Sequence, residues 1–120
     1  MIHALAYEGI KEIRLVAACD LQKERLEGFG KRFNLSRLYK NLEEMLEKER
    51  PDILHIVTPP AVREVPIQTA ADYGVKGILC EKPIALNPGQ AAKIKEIAGK
   101  TGINIAVNMQ RRYFKTCRYL

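Results

Sequence analysis

The sequence predicts an α/β fold built on a doubly wound parallel sheet with helices on both faces. Three observations carry that expectation. Short apolar runs alternate with amphipathic stretches along all 120 residues, the pattern of strand–helix units. The runs are almost unbroken by polar residues, as strands covered on both sides require. A polar residue or turn follows each run, at Asp20, Thr58, Glu81-Lys82 and Asn108. Doubly wound sheets bind their ligands at those strand ends, and right-handed crossovers fix the winding.

Each element has its own local reason. Residues 2–11 read as a helix, and 13–19 (IRLVAAC) as a buried strand. After Asp20 comes a helix whose Leu26, Phe29 and Phe33 fall at i, i+3 and i+7. Gly28 and Gly30 weaken it by about 1 kcal/mol each relative to Ala. Leu38-Tyr39 fits a very short strand. Asn41 caps the next helix, with Glu44 placed as in a capping box, and Leu42, Met45 and Leu46 share one face. Pro51-Asp52 breaks the pattern before the strand at 53–57, which ends in Thr58-Pro59-Pro60.

Residues 63–73 read as a helix with Pro66 in its first turn, where proline is tolerated, and Gly74 as its stop. The strand at 77–80 runs into Glu81-Lys82-Pro83. Asn87 and Pro88 open a further helix in the cap and first positions. Its Ala91, Ile94 and Ile97 are expected to face inward, and Gly102 to end it. The last strand spans 103–107, and the chain leaves through 108–113.

Composition narrows the class. At 47% hydrophobic and 28% charged, the chain reads as one soluble globular domain. No signal peptide is visible, and no apolar run approaches the roughly 20 residues that span a bilayer. A cytoplasmic protein with no membrane partner is therefore expected. Cys19, Cys80 and Cys117 form no C-x-x-C pair, and only His3 and His55 are present, which argues against a disulfide scaffold or a zinc site. The two strand cysteines read as small packed side chains, and His55 as a core histidine. The net charge is +6, yet Arg111, Arg112, Lys115 and Arg118 supply four of the positive charges; without them 16 basic residues face 14 acidic ones. No nucleic-acid motif accompanies this tail, so it reads as a solvated face rather than a nucleic-acid surface.

Three strand ends could carry chemistry. Asp20 can accept bonds from the two ribose hydroxyls of a dinucleotide, or cap the helix that follows it. A carboxylate there repels a 2′-phosphate, so NAD is favoured, with NADP left open by Lys23 and Arg25. Thr58-Pro59-Pro60 is a stiff turn that can lie against a planar ligand or serve as a plain loop. Glu81-Lys82-Pro83 ends an apolar strand, where an ion pair costs desolvation, and proline biases Lys82 to an extended backbone. A lysine held beside a cationic nicotinamide ring could act as general acid or base on a hydroxyl. The same three residues could form a surface salt bridge in a turn.

The order of Ala18-Cys19-Asp20, Thr58-Pro59-Pro60, Cys80-Glu81-Lys82-Pro83-Ile84-Ala85-Leu86 and Gln110-Arg111-Arg112-Tyr113 resembles the glucose–fructose oxidoreductase/inositol dehydrogenase/rhizopine-catabolism family over essentially the whole chain. The resemblance implies a Rossmann-like domain and an NAD(P)-dependent oxidoreductase. Such an enzyme transfers a hydride between a nicotinamide cofactor and the hydroxyl or ketone of a small sugar or polyol. It implies Lys82 as the catalytic residue. It implies Asp20, Thr58, Pro59, Glu81, Lys82 and Arg112 as cofactor-binding, with Arg112 where the family joins its two domains.

The sequence departs from that pattern in three places. It has no G-x-G-x-x-G, the loop whose amides cradle a pyrophosphate. The reading is of one truncated dinucleotide-binding domain over residues 1–120, with 108–120 opening the connection to an absent substrate domain. Arg63 stands where the family often has a histidine. The isolated chain is then expected to be inactive. The alternative function is a non-catalytic remnant that self-associates or binds a nucleotide weakly. Without a strand between them, the runs at 13–19 and 53–57 would present bare edges. They are expected either to close on each other or to pair between copies in a homo-oligomer.

Overall fold

The computed structural model describes residues 2–114; the expectations for Lys115, Cys117 and Arg118 lie outside them. The elements run α1 (Ile2–Tyr7), β1 (Ala18–Cys19), α2 (Lys23–Phe33), β2 (Leu38–Tyr39), α3 (Leu42–Glu49), β3 (Ile53–Ile56), α4 (Glu64–Asp72), β4 (Gly77–Glu81), α5 (Pro88–Thr101) and β5 (Asn104–Asn108). Every strand pairing is parallel. The chain is thus the parallel α/β fold that the alternating pattern predicts. It divides into two compact units, residues 1–51 and 52–120.

In the first unit β1 pairs with β2 through Ala18↔Leu38 and Cys19↔Tyr39. This ladder is far shorter than the apolar run at 13–19 suggests. A strand persists only as far as its partner reaches, and β2 is two residues long. Ile13 is correspondingly exposed. Leu26, Met45 and Leu46 are buried. Asn41 caps α3 by accepting from the Glu44 amide at 2.9 Å. The Glu44 carboxylate is instead engaged by Lys48 at 2.6 Å, so the capping box is one-sided. Glu49 accepts from the Tyr39 hydroxyl at 2.5 Å and from Arg37. These two bonds, Tyr39 first, hold its carboxyl below the ordinary glutamate range.

The second unit has the strand order β3-β4-β5. Its register runs from Ile53↔Gly77↔Asn104 to Ile56↔Cys80↔Val107, and Glu81↔Asn108 closes the β4–β5 ladder. Leu54, Ile56, Ile78 and Cys80 are buried, while their neighbours along β3 and β4 are half-buried or exposed. One side of these strands therefore carries the deep core, where the unbroken apolar runs suggested two. Ile67 and Ala70 of α4, with Ile94 and Ile97 of α5, complete that core. Ala91 is exposed, because α5 turns its isoleucine stripe inward one position further round. Pro66 sits in the first turn of α4. Gly74 and Gly102 take the left-handed backbone, with φ of 72° and 73°, that ends α4 and α5.

The described residues form one two-stranded and one three-stranded sheet, each within its own unit. Within those sheets β1 is bonded to β2 and β3 to β4.

Gly30 answers to packing rather than to helix propensity. A Cβ there would lie 2.7 Å from Leu38 Cδ1 and 2.9 Å from the Leu35 carbonyl oxygen. A Cβ on Gly28 would meet nothing within 4 Å. Gly28→Ala should therefore raise the urea midpoint, by about 0.5–1 kcal/mol of stability. Gly30→Ala should lower it by about 1–3 kcal/mol through overpacking, despite alanine's better helix propensity.

Candidate active site

Three prolines shape the carboxyl end of the second unit's sheet. Pro59 and Pro60 follow β3, and Pro83 follows β4. Each removes a backbone N–H while keeping its carbonyl oxygen. The region therefore holds more acceptors than donors. Pro59 is extended, at φ −54° and ψ 144°, as the stiff turn read from the sequence requires. The Lys82–Pro83 peptide is cis.

Arg63 makes good that shortage. It is only 3% exposed, the one charged residue buried among those described. Its Nε donates to the Thr58 carbonyl at 2.9 Å. Its Nη1 donates to the carbonyls of both Glu81 and Pro83. A buried charge is costly unless its hydrogen bonds are satisfied, and bonds from a charged donor each contribute about 1.5–3 kcal/mol. One guanidinium thus joins the turn after β3 to the turn after β4. Gln90 adds a second tie: Nε2 donates to the Pro60 carbonyl at 2.8 Å, and Oε1 accepts from the Leu86 amide at 2.8 Å. Asn87 holds Gln90 in the first turn of α5 by accepting its amide at 2.9 Å.

Around this frame sit the predicted residues of the second unit. Glu81 ends β4 and Asn108 ends β5, opposite each other in register. The Asn108 amide donates to Glu81 Oε1 at 2.6 Å. Thr58, Pro59 and Lys82 are exposed. Lys82 takes part in no ion pair among the described residues, so the salt-bridge turn is not what forms. Arg112 lies exposed in a 3₁₀ turn, Gln110–Tyr113, directly after β5. The structure thus gathers Thr58, Pro59, Glu81 and Lys82 about one hydrogen-bonded cluster, and sets Arg112 on the segment leaving β5.

Asp20 belongs to the first unit, immediately after β1. It is not the cap of α2, since Gln22 holds that position without a side-chain bond. Asp20 Oδ1 accepts from the Gln22 amide at 2.8 Å. A carboxylate has room for further bonds, so Asp20 can still accept from a hydroxyl. Neither described cysteine is set up as a nucleophile. Burial pushes the Cys80 thiol up, with Arg63 opposing, and burial and then Asp20 push Cys19 up.

Two participants escaped sequence reasoning. Gln90 gives no signal of its own in the sequence. The Glu81–Asn108 pair follows only once β4 and β5 are set in parallel register.

A family described as oxidoreductases with an NAD-binding Rossmann fold matches residues 2–109. D-apiose dehydrogenase of Paraburkholderia graminis is 32% identical over 111 residues, spanning 92% of this chain and 29% of that protein. The crystal structure of myo-inositol 2-dehydrogenase from Lactobacillus plantarum superposes with a TM-score of 0.83 at 26% identity, over 92% of this chain and 33% of that one. Scyllo-inositol dehydrogenase from Lactobacillus casei, with bound NAD(H) and scyllo-inositol, shares the fold at a TM-score of 0.87 and 22% identity, over 98% of this chain and 35% of that one. The chain thus spans about a third of the length of these relatives.

The Glu81–Asn108 contact yields a test with a definite sign. Asn108→Asp would set two carboxylates 2–3 Å apart where 2.6 Å now separates amide from acid. Like charges so close favour protonation of one of them. The variant should lose roughly 1–3 kcal/mol at neutral pH. Because the folded pair holds a proton more tightly than the unfolded chain, the loss should shrink as pH falls. Denaturant melts at pH 7 and pH 4 check both points.

Proposed function

Because the chain belongs to the glucose–fructose oxidoreductase/inositol dehydrogenase/rhizopine-catabolism family of oxidoreductases with an NAD-binding Rossmann fold, we propose that it is part of an NAD(P)-dependent dehydrogenase acting on a small sugar or polyol. One observation carries the reading furthest. Lys82 is exposed at the carboxyl end of a parallel sheet, between two carbonyls held by one buried guanidinium. This is where such folds bind ligands, and the lysine's approach is preset by the backbone.

Bound NAD(H) would supply the hydride acceptor or donor. As the neutral amine, Lys82 Nζ would take the hydroxyl proton during oxidation and become the ammonium; as the ammonium it would return that proton to the oxygen in the reverse direction. Thr58, Pro59 and Glu81 would line the nicotinamide side. Asp20 would hold the adenosine ribose, which favours NAD while leaving NADP possible, and Arg112 would stand at the joint toward a substrate domain. The residues present fit this assignment, since Asp20 keeps acceptor capacity and Thr58, Pro59 and Lys82 are open to solvent. The sequence supplies no G-x-G-x-x-G, so these 120 residues alone should bind the dinucleotide weakly and turn nothing over.

Calorimetric titration with NAD and NADP tests the binding half. Weak or undetectable heat is expected, and micromolar affinity would contradict the argument from the missing loop. In the complete enzyme, Lys82→Ala should cut turnover by roughly 10²- to 10⁴-fold with cofactor affinity nearly unchanged. Undiminished turnover would rule out the proton-transfer role.

A second reading, a non-catalytic module that self-associates, is favoured by the one-sided pairing of β1 and β3 and by exposed Ile53 at the start of β3. Open edges of this kind recruit strands from other copies. Sedimentation equilibrium should then show concentration-dependent association, and a strictly monomeric chain at high concentration would remove this reading.

A further inference from the structure

We propose that Arg63 is a positioning residue for Lys82, an assignment that rests on the dehydrogenase reading for its purpose but not for its geometry. The guanidinium is buried and spends its bonds on three backbone carbonyls. It acts through the backbone on either side of the lysine.

The case begins with the donor shortage left by Pro59, Pro60 and Pro83. Carbonyls beyond the end of a ladder have no neighbouring strand to bond. The two that bracket Lys82, those of Glu81 and Pro83, converge on the same nitrogen, Nη1 of Arg63. With both fixed, the peptide plane that enters Lys82 and the one that leaves Pro83 have little freedom, and Lys82 lies between these two held points. The direction in which its Cβ leaves the chain is then set. The third bond, from Nε to Thr58 at 2.9 Å, refers that direction to the Thr58-Pro59 turn. A change in either turn is therefore transmitted to the other.

The choice of arginine follows from the task. Three carbonyls approach from two segments, and a planar fork with five N–H groups can serve them from inside a buried space. Lysine has the charge but presents one compact ammonium. The base of the arrangement is rigid as well, since Arg63 is the residue before α4 and its own carbonyl accepts from the Ile67 amide at 3.1 Å. Ile67 is fully buried. Helix, guanidinium and lysine turn thus form one mechanical link from the core to the exposed ammonium.

The test is ¹⁵N relaxation on the labelled chain, comparing the parent with Arg63→Gln and Arg63→Lys. In the parent, the Lys82 amide should behave as rigid backbone, with an order parameter of about 0.85. In Arg63→Gln it should fall below about 0.6, the flexible range, while Ile78 and Cys80 in β4 stay near about 0.85. Arg63→Lys should fail to restore it, because charge without the fork is insufficient. A Lys82 amide that stays rigid in both folded variants would overturn the proposal. So would a loss of order shared equally by Ile78 and Cys80, which would mean general loosening. Should neither variant fold, scalar couplings across hydrogen bonds from Arg63 Nη1 to the Glu81 and Pro83 carbonyl carbons decide the matter in the parent chain. Their detection supports the link, and their absence with resolved side-chain signals refutes it. The outcome is independent of whether Lys82 transfers a proton, which the turnover of Lys82→Ala judges separately.

Discussion

Where a sheet ends in proline-rich turns, carbonyl oxygens accumulate without amides to meet them, and something must donate. In this protein a single buried arginine does most of that. Arg63 bonds the carbonyls of Thr58, Glu81 and Pro83 from a position that is almost wholly enclosed. Gln90 supplies a further donor to Pro60 and an acceptor to Leu86. The prolines stiffen each turn but cannot align one with the other; the two side chains do. The geometry of the candidate site is thus a consequence of hydrogen-bond satisfaction at the end of β3 and β4. Any ligand-facing surface formed by Thr58, Pro59 and Lys82 inherits its shape from that requirement.

The same logic separates function from support within the Glu81-Lys82-Pro83 turn. Glu81 looks inward: its carbonyl meets Arg63 and its carboxylate meets Asn108. Pro83 likewise offers its carbonyl to Arg63. Lys82, between them, is turned out to solvent. An exposed side chain next to hydrogen-bonded carbonyls supports the proton exchange proposed for it. Asp20, in the other unit, is anchored by the Gln22 amide and keeps acceptor capacity. That leaves it suited to a ribose hydroxyl.

Much of the fold was legible because its signals are local. Asn41 and Asn87 cap their helices through their own side chains, and Gly74 and Gly102 adopt positive φ where the helices stop. Strand length was less legible, because pairing depends on the partner. The run at 13–19 has the composition of a long strand yet forms only Ala18–Cys19 against the two residues of β2. Gly30 looked like a weakness of α2 and proved to be the space that Leu38 and Leu35 require. At the site, the strand-end residues could be named from the sequence alone. The partner of each could not, since Arg63 reaches Glu81 across 18 residues and Gln90 reaches Pro60 across 30. Three prolines at two strand ends were the available hint that a multi-donor side chain had to lie nearby.

The carboxyl end of β3, β4 and β5, framed by Arg63, is the surface proposed for the nicotinamide side. Amide chemical-shift mapping during addition of NAD to the labelled chain can locate that surface, since mapping tolerates weak affinity. Graded shifts are expected at Thr58, Glu81, Lys82 and Asn108, with the exposed crevice between α4 and α5 around Gln68 and Lys93 unmoved. Shifts confined to that crevice, or absent from the strand ends at saturating NAD, would place the nicotinamide elsewhere.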